Sequence, residues 1–134
     1  MAVMNTRMLM RASAGVLGVL GASATFLPQE ILVRAGTSPV GFSGVLVQLA
    51  GALYLGFAML NWMAQGSVMG GIYGRPVAIG NLAHFTIGAL ALLKLVLAEQ
   101  RVVELVIGAA VYTVFAISFA IVAFGRAPSA RVGA

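Results

Sequence analysis

"VVELVIGAAVYTVFAISFAIVAF", residues 102–124, holds one charged side chain, Glu104, and then twenty residues that carry none. A bilayer hydrocarbon core of about 30 Å is crossed by roughly 20 helical residues, so this stretch alone is long enough to span it. Three further apolar stretches meet the same length, at residues 8–27, 40–63 and 77–97. Turn-forming residues separate them. Pro28 and Pro39 flank the first connection, "QGSVMGGIYGRP" (65–76) forms the second, "AEQR" (98–101) the third, and Pro128 follows the last span. Pro76 fits the first turn of the third span, where a missing N–H leaves no intrahelical bond unmade. The chain therefore reads as a single membrane domain, an all-α antiparallel bundle of four transmembrane helices.

Composition agrees with that reading. Of 134 residues 61% are hydrophobic and only 8% charged, and the mean hydropathy is +1.05. That is more apolar surface than one water-soluble core of this size can hide. The net charge of +5 comes from eight Lys and Arg against three Glu, without a basic run or interleaved aromatics, which argues against nucleic-acid binding. The absence of cysteine removes disulfides, thiolate metal sites and covalent c-type haem.

The basic residues speak instead to topology, because cytoplasmic flanks retain Lys and Arg. Arg7, Arg11, Arg75, Arg126 and Arg131 fall on one side, while Arg34, Lys94, Arg101 and all three acids, Glu30, Glu99 and Glu104, fall on the other. Both termini are expected in the cytoplasm of a bacterial inner membrane. Arg7 and Arg11 before an apolar stretch and the triplet Ala22-Ser23-Ala24 also resemble a secretory leader with its cleavage site; we read the stretch as the first span of the bundle. Within "PQEILVRAG" (28–36), Glu30 and Arg34 have i,i+4 spacing, which predicts a short helix closed by Gly36.

Membrane helices associate through close packing of small residues and through interhelical hydrogen bonds. The first span offers Ala14, Gly18 and Ala22, and the fourth Ala109, Thr113, Ala116, Ala120 and Ala123. The second and third spans set a polar residue into such a track, in Gly44–Gln48–Ala52–Gly56 and Gly80–His84–Gly88, and both polar groups are expected to face protein. At about 1.5 Å per residue, Gln48 lies about 12 Å below the outer surface and His84 about 12 Å above the inner one. Asn81 lies one turn below His84, Tyr112 and Thr113 come to a similar depth, and these five side chains form a candidate ligand-binding cluster.

His84, the chain's single histidine, is the most suggestive of them. A neutral imidazole can ligate a metal, take a proton or hold a quinone carbonyl, but we read it first as a hydrogen-bonded contact that fastens one helix to another. With no second histidine, a b-type haem would need methionine ligation or another subunit. No carboxylate sits deep in a span, so the usual residues of a proton relay or of acid–base catalysis are missing, and no catalytic or metal-ligating set is expected. Trp62, Tyr73 and Arg75 lie at the inner ends of the second and third spans and are candidates for lipid headgroup contact. The glycine-rich loop lacks the Lys-Ser/Thr ending of a P-loop.

The four-span layout, basic residues before the first span, its proline-ended close and "GALYLGFAML" (51–60) in the second resemble the DoxX-like group of small four-helix bacterial membrane proteins. The resemblance covers about the first 95 residues and carries over no functional residue. It implies an accessory role beside respiratory machinery. The sequence thus points to a non-catalytic accessory or scaffold subunit of a larger membrane assembly, such as a respiratory or photosynthetic electron-transfer complex. Its partners would be membrane lipid and other membrane subunits or copies of itself, and no resident cofactor is expected. The alternative is a membrane protein that binds a quinone or a lipid at His84 and its polar neighbours.

Overall fold

The computed structural model describes residues 5–67, 72, 74–98 and 102–125. The chain is helical throughout the described elements: α1 (Thr6–Phe26), α2 (Pro28–Arg34), α3 (Phe42–Ala64), α4 (Gly74–Leu97) and α5 (Val103–Phe124). Four of these, α1, α3, α4 and α5, are long and apolar enough to cross a membrane. Their 21 to 24 residues correspond to about 32–36 Å at the helical rise. Residues 68–71 and Tyr73 of the second connection, together with Glu99, Arg101, Arg126 and Arg131, lie outside the described residues.

The helix limits follow from local chemistry that hydropathy alone misses. α1 begins ahead of its apolar run because the Asn5 side chain accepts a hydrogen bond from the Met8 N–H at 3.4 Å, an N-cap that satisfies one of the orphan donors of the first turn. α4 begins at Gly74, so Pro76 falls within its first turn as expected. α2 is the short helix foreseen from Glu30 and Arg34. It closes with Gly36 at φ +71°, the Thr37 N–H bonding to Leu32 O at 2.9 Å and the Gly36 N–H to Val33 O at 3.0 Å. These two bonds make a Schellman motif, which needs a residue in the left-handed region and so favours glycine.

Two compact units divide the chain, Met1–Gly66 and Ser67–Ala134. In the first, α1 and α3 pack along their lengths and α2 rests on both. Contacts pair Arg11 with Gln65, Ser13 with Asn61, Gly18 with Ala58 and Gly21 with Gly51. Numbers rise on one helix as they fall on the other, so the pair is antiparallel. The tightest point is Gly21 against Gly51. A Cβ on Gly21 would stand 2.8 Å from the Leu55 backbone nitrogen and 3.0 Å from Gly51 O. One on Gly51 would stand 2.7 Å from the Thr25 nitrogen and 2.9 Å from Gly21 O. Here backbone meets backbone, and no side chain fits between.

The seam of α1 is Met10, Ala14, Leu17, Gly21 and Ala24, alternating spacings of four and three as in a coiled coil. α3 answers with Gly51, Ala58 and Asn61. The small-residue track expected on the second span is therefore not the one used in this unit: Gln48, Ala52 and Gly56 are exposed, and no atom beyond the local backbone lies within 4 Å of a Cβ built on Gly44 or Gly56. The physical reason is that α3 carries small residues on several faces, and only the row with Gly51 and Asn61 sets a glycine opposite Gly21 and an amide opposite Ser13.

In the second unit α4 and α5 pair in the same antiparallel sense, Gly88 meeting Tyr112, Leu92 meeting Gly108 and Phe85 meeting Phe115 and Phe119. The buried row of α5 is Ala109, Tyr112, Phe115 and Phe119. Of the expected track Ala109, Thr113, Ala116, Ala120 and Ala123, Ala109 is buried in this row and the others are half-buried beside it. Aromatic rings fill most of the width of this seam. Outside the two seams the helices turn large apolar side chains outward, with Leu53 67%, Ile87 70% and Ile117 58% exposed.

The absence of cysteine makes the α1–α3 pairing directly testable. A Cβ built on Gly18 lies 3.8 Å from Ala58 Cβ, within the usual range of about 3.5–4.5 Å for a disulfide. G18C/A58C should cross-link on mild oxidation, as read by a mobility shift in denaturing gels. Adding Gly21→Leu, which drives a side chain into the α3 backbone, should abolish the cross-link.

Candidate functional site

The second unit gathers the side chains with chemical potential. α4 presents Ala78, Asn81, Phe85 and Ala89 to the seam, and its helical period brings His84 to the seam's edge, half-buried. Opposite it, Tyr112 is buried because Gly88 leaves room for its ring: a Cβ at Gly88 would lie 2.6 Å from Tyr112 Cδ1. The Tyr112 hydroxyl comes to 3.4 Å from His84 Nε2. Either atom is the donor, according to which tautomer the imidazole adopts. The ring centroids of the two residues are 5.6 Å apart.

Phe85 holds this pair in position. It is fully buried, meets Tyr112 edge to face at 5.1 Å, and stacks with Phe115 at 4.8 Å and Phe119 at 5.7 Å. Aromatic contacts of this kind contribute about 0.5–1.5 kcal/mol each beyond the area they bury. Asn81, one turn before His84, is also fully buried, and its Nδ2 donates to Val77 O at 2.9 Å. Thr113 follows Tyr112 but turns to its own helix, its Oγ1 donating to Ala109 O at 2.7 Å.

Of the five expected cluster members, the structure thus brings His84 and Tyr112 together, sets Asn81 one turn away on α4, and satisfies Thr113 within α5. Gln48 belongs to the first unit, where it is exposed on α3 rather than turned into that unit's seam. Among the headgroup candidates, Trp62 is exposed near the end of α3 and Arg75 is exposed in the first turn of α4; Tyr73 is outside the described residues. Among the described residues no three His, Cys, Asp or Glu side chains gather in a way that could hold a metal ion.

A second polar contact was not foreseen. Ser13 and Asn61 are both fully buried, the Asn61 Nδ2 donating to Ser13 Oγ at 2.9 Å and the Ser13 hydroxyl donating to Met10 O at 3.0 Å. Its signal was a serine lying in the Met10–Leu17 apolar row, where a helix pair leaves no water. Next to it, Arg11 Nε donates to Gln65 Oε1 at the end of α3. At the other end of α1, the Thr25 hydroxyl is buried without a hydrogen-bond partner among the described residues, close to Gly51.

Compared with protein-family models, with curated proteins and with solved structures, the chain shows no match.

The geometry makes the His84 region a packed aromatic seam with one polar edge, and the energies should follow. Tyr112→Phe keeps the ring and removes the hydroxyl, for an expected loss of about 0.6 kcal/mol. Phe85→Ala opens a cavity where three rings meet, for an expected loss of about 3 kcal/mol or more. Equilibrium unfolding in mixed detergent micelles measures both; a larger loss from Tyr112→Phe than from Phe85→Ala would mean that the hydrogen bond, not the ring packing, holds the seam.

Proposed function

We propose that the chain is a multi-pass membrane protein without chemistry of its own, a small accessory or scaffold subunit that joins other membrane subunits or copies of itself. The observation that carries this reading is the row Gly44–Gln48–Ala52–Gly56 on α3, in which Gln48, Ala52 and Gly56 are exposed and Gly44 is half-buried. Small residues admit a neighbouring backbone, and an amide set among them gains a hydrogen bond across a helix interface that lipid cannot provide. The outward Leu, Ile and Val side chains of all four long helices suit a hydrocarbon surround, since contiguous apolar surface of this extent is a liability in water. The distribution of basic residues favours cytoplasmic termini in a bacterial inner membrane. The resemblance to the DoxX-like group favours a place beside respiratory machinery.

A second reading is favoured by one observation, the 3.4 Å approach of Tyr112 and His84 at the edge of an apolar seam. A hydroxyl and an imidazole so placed suit the carbonyl of a quinone or the ester of a lipid, held in a mostly apolar pocket with few polar groups.

Native mass spectrometry of the gently solubilised protein separates the two. The accessory role predicts a homo-oligomer or a co-purifying subunit, broken up by Gln48→Leu together with Ala52→Phe; a monomer with no partner sinks it. The second reading predicts stoichiometric quinone or lipid that His84→Ala removes, and an unchanged ligand content in that variant rules it out.

A further inference from the structure

The surface of the first unit carries an open groove of about 310 Å³ between α1 and α3. Its floor is Ala14, Gly15 and Ala58, and its walls are Met59, Trp62 and Met63. Gly15 has no atom within 4 Å of where a Cβ would stand, so the floor is open at that point. On α1, Arg7, Arg11 and Gly15 recur at intervals of four and share one face. Arg11 therefore lies about 6 Å above the groove floor along the helix, and Arg7 about 12 Å above it. Both arginines are exposed, and Gln65 holds Arg11 through Nε, which leaves its other N–H donors for a further acceptor. Trp62 stands at the same end of the unit. The unit's only acid is Glu30, on α2, beyond the opposite end of α1.

We propose that this groove is a binding site for an anionic phospholipid, one acyl chain lying on Gly15 against the methionines of α3 and the phosphate held by Arg11 and Arg7. The match is one of charge and of shape along a single line: two guanidinium groups that favour phosphate oxygens, then an apolar trough one helical turn deeper. Methionine side chains adapt to an acyl chain, and an indole is at home where headgroup and hydrocarbon meet. A second copy of the chain inserted in the same orientation fits less well, because it brings its own Arg7 and Arg11 to the same depth as these. The inference rests on the membrane reading of the four long helices. It is independent of the accessory role and of His84.

The test uses the full chain in nanodiscs of phosphatidylcholine and phosphatidylglycerol, with spin-labelled lipids of each kind reporting the immobilised fraction. Phosphatidylglycerol should be preferred by about fivefold for each arginine. R7Q/R11Q should bring the preference near parity, and R7K/R11K should restore most of it. Gly15→Leu fills the trough without touching the charges, and should release the immobilised lipid in spite of intact arginines. The G18C/A58C cross-link, introduced into each variant, reports that the helix pair is still formed.

The proposal is overturned if wild type shows no headgroup preference, if R7Q/R11Q and Gly15→Leu both retain phosphatidylglycerol as wild type does, or if Gly15→Leu changes only the oligomeric state. A chain that stays soluble without detergent sinks this proposal together with the membrane reading. A chain that requires detergent but discriminates no headgroup sinks this proposal alone.

Discussion

The contact between Gly21 and Gly51 governs the first half of the molecule. Two helix backbones approach until a single added carbon on either would meet the main chain of the other. That closeness sets the height at which α1 and α3 cross. Once it is set, Gly18 faces Ala58, Ser13 faces Asn61, and Arg11 reaches Gln65. Each of these is a consequence of register. In an apolar surround such pairs gain little from burial itself, so dispersion between close surfaces and the few hydrogen bonds they permit must hold the helices together.

The second half solves the same problem with different matter. Gly88 admits a close approach, and what approaches is a tyrosine ring rather than a backbone. Phe85, Phe115 and Phe119 then fill the remaining width. The His84 imidazole sits where this aromatic column meets the exterior, which is why it is half-buried and within reach of one hydroxyl. A ring column and a glycine crossing are two ways to the same end, since rings fill a wide gap and glycines remove it.

Hydropathy made the four long helices legible to within a few residues, because the length of an apolar run is a local property. The Glu30–Arg34 spacing and Gly36 made α2 legible for the same reason. The cap at Asn5 was overlooked, since an asparagine ahead of two arginines does not stand out by hydropathy. The seams were less legible. α3 bears Gly44, Gly51, Ala52, Gly56 and Ala58 on different faces, and the choice among them depends on Gly21 and Ser13, about 30 to 50 residues away in the chain. His84 and Tyr112 were both recognised because ionisable and phenolic groups are rare in such helices. Ser13 escaped notice because a lone hydroxyl in a helix normally bonds its own backbone, and it does so here while also accepting from Asn61.

The seam of each unit is made from that unit's own stretch of chain, Met1–Gly66 or Ser67–Ala134. By the time residue 66 has been polymerised, every atom of the glycine crossing exists. At ~5–20 residues per second, the ribosome needs ~3–14 s to supply residues 67–134, far longer than the ~1 μs in which a helix forms. The nascent protein can thus complete one hairpin before the next is finished, and so avoids exposing four unpaired apolar segments to quality-control proteases at once.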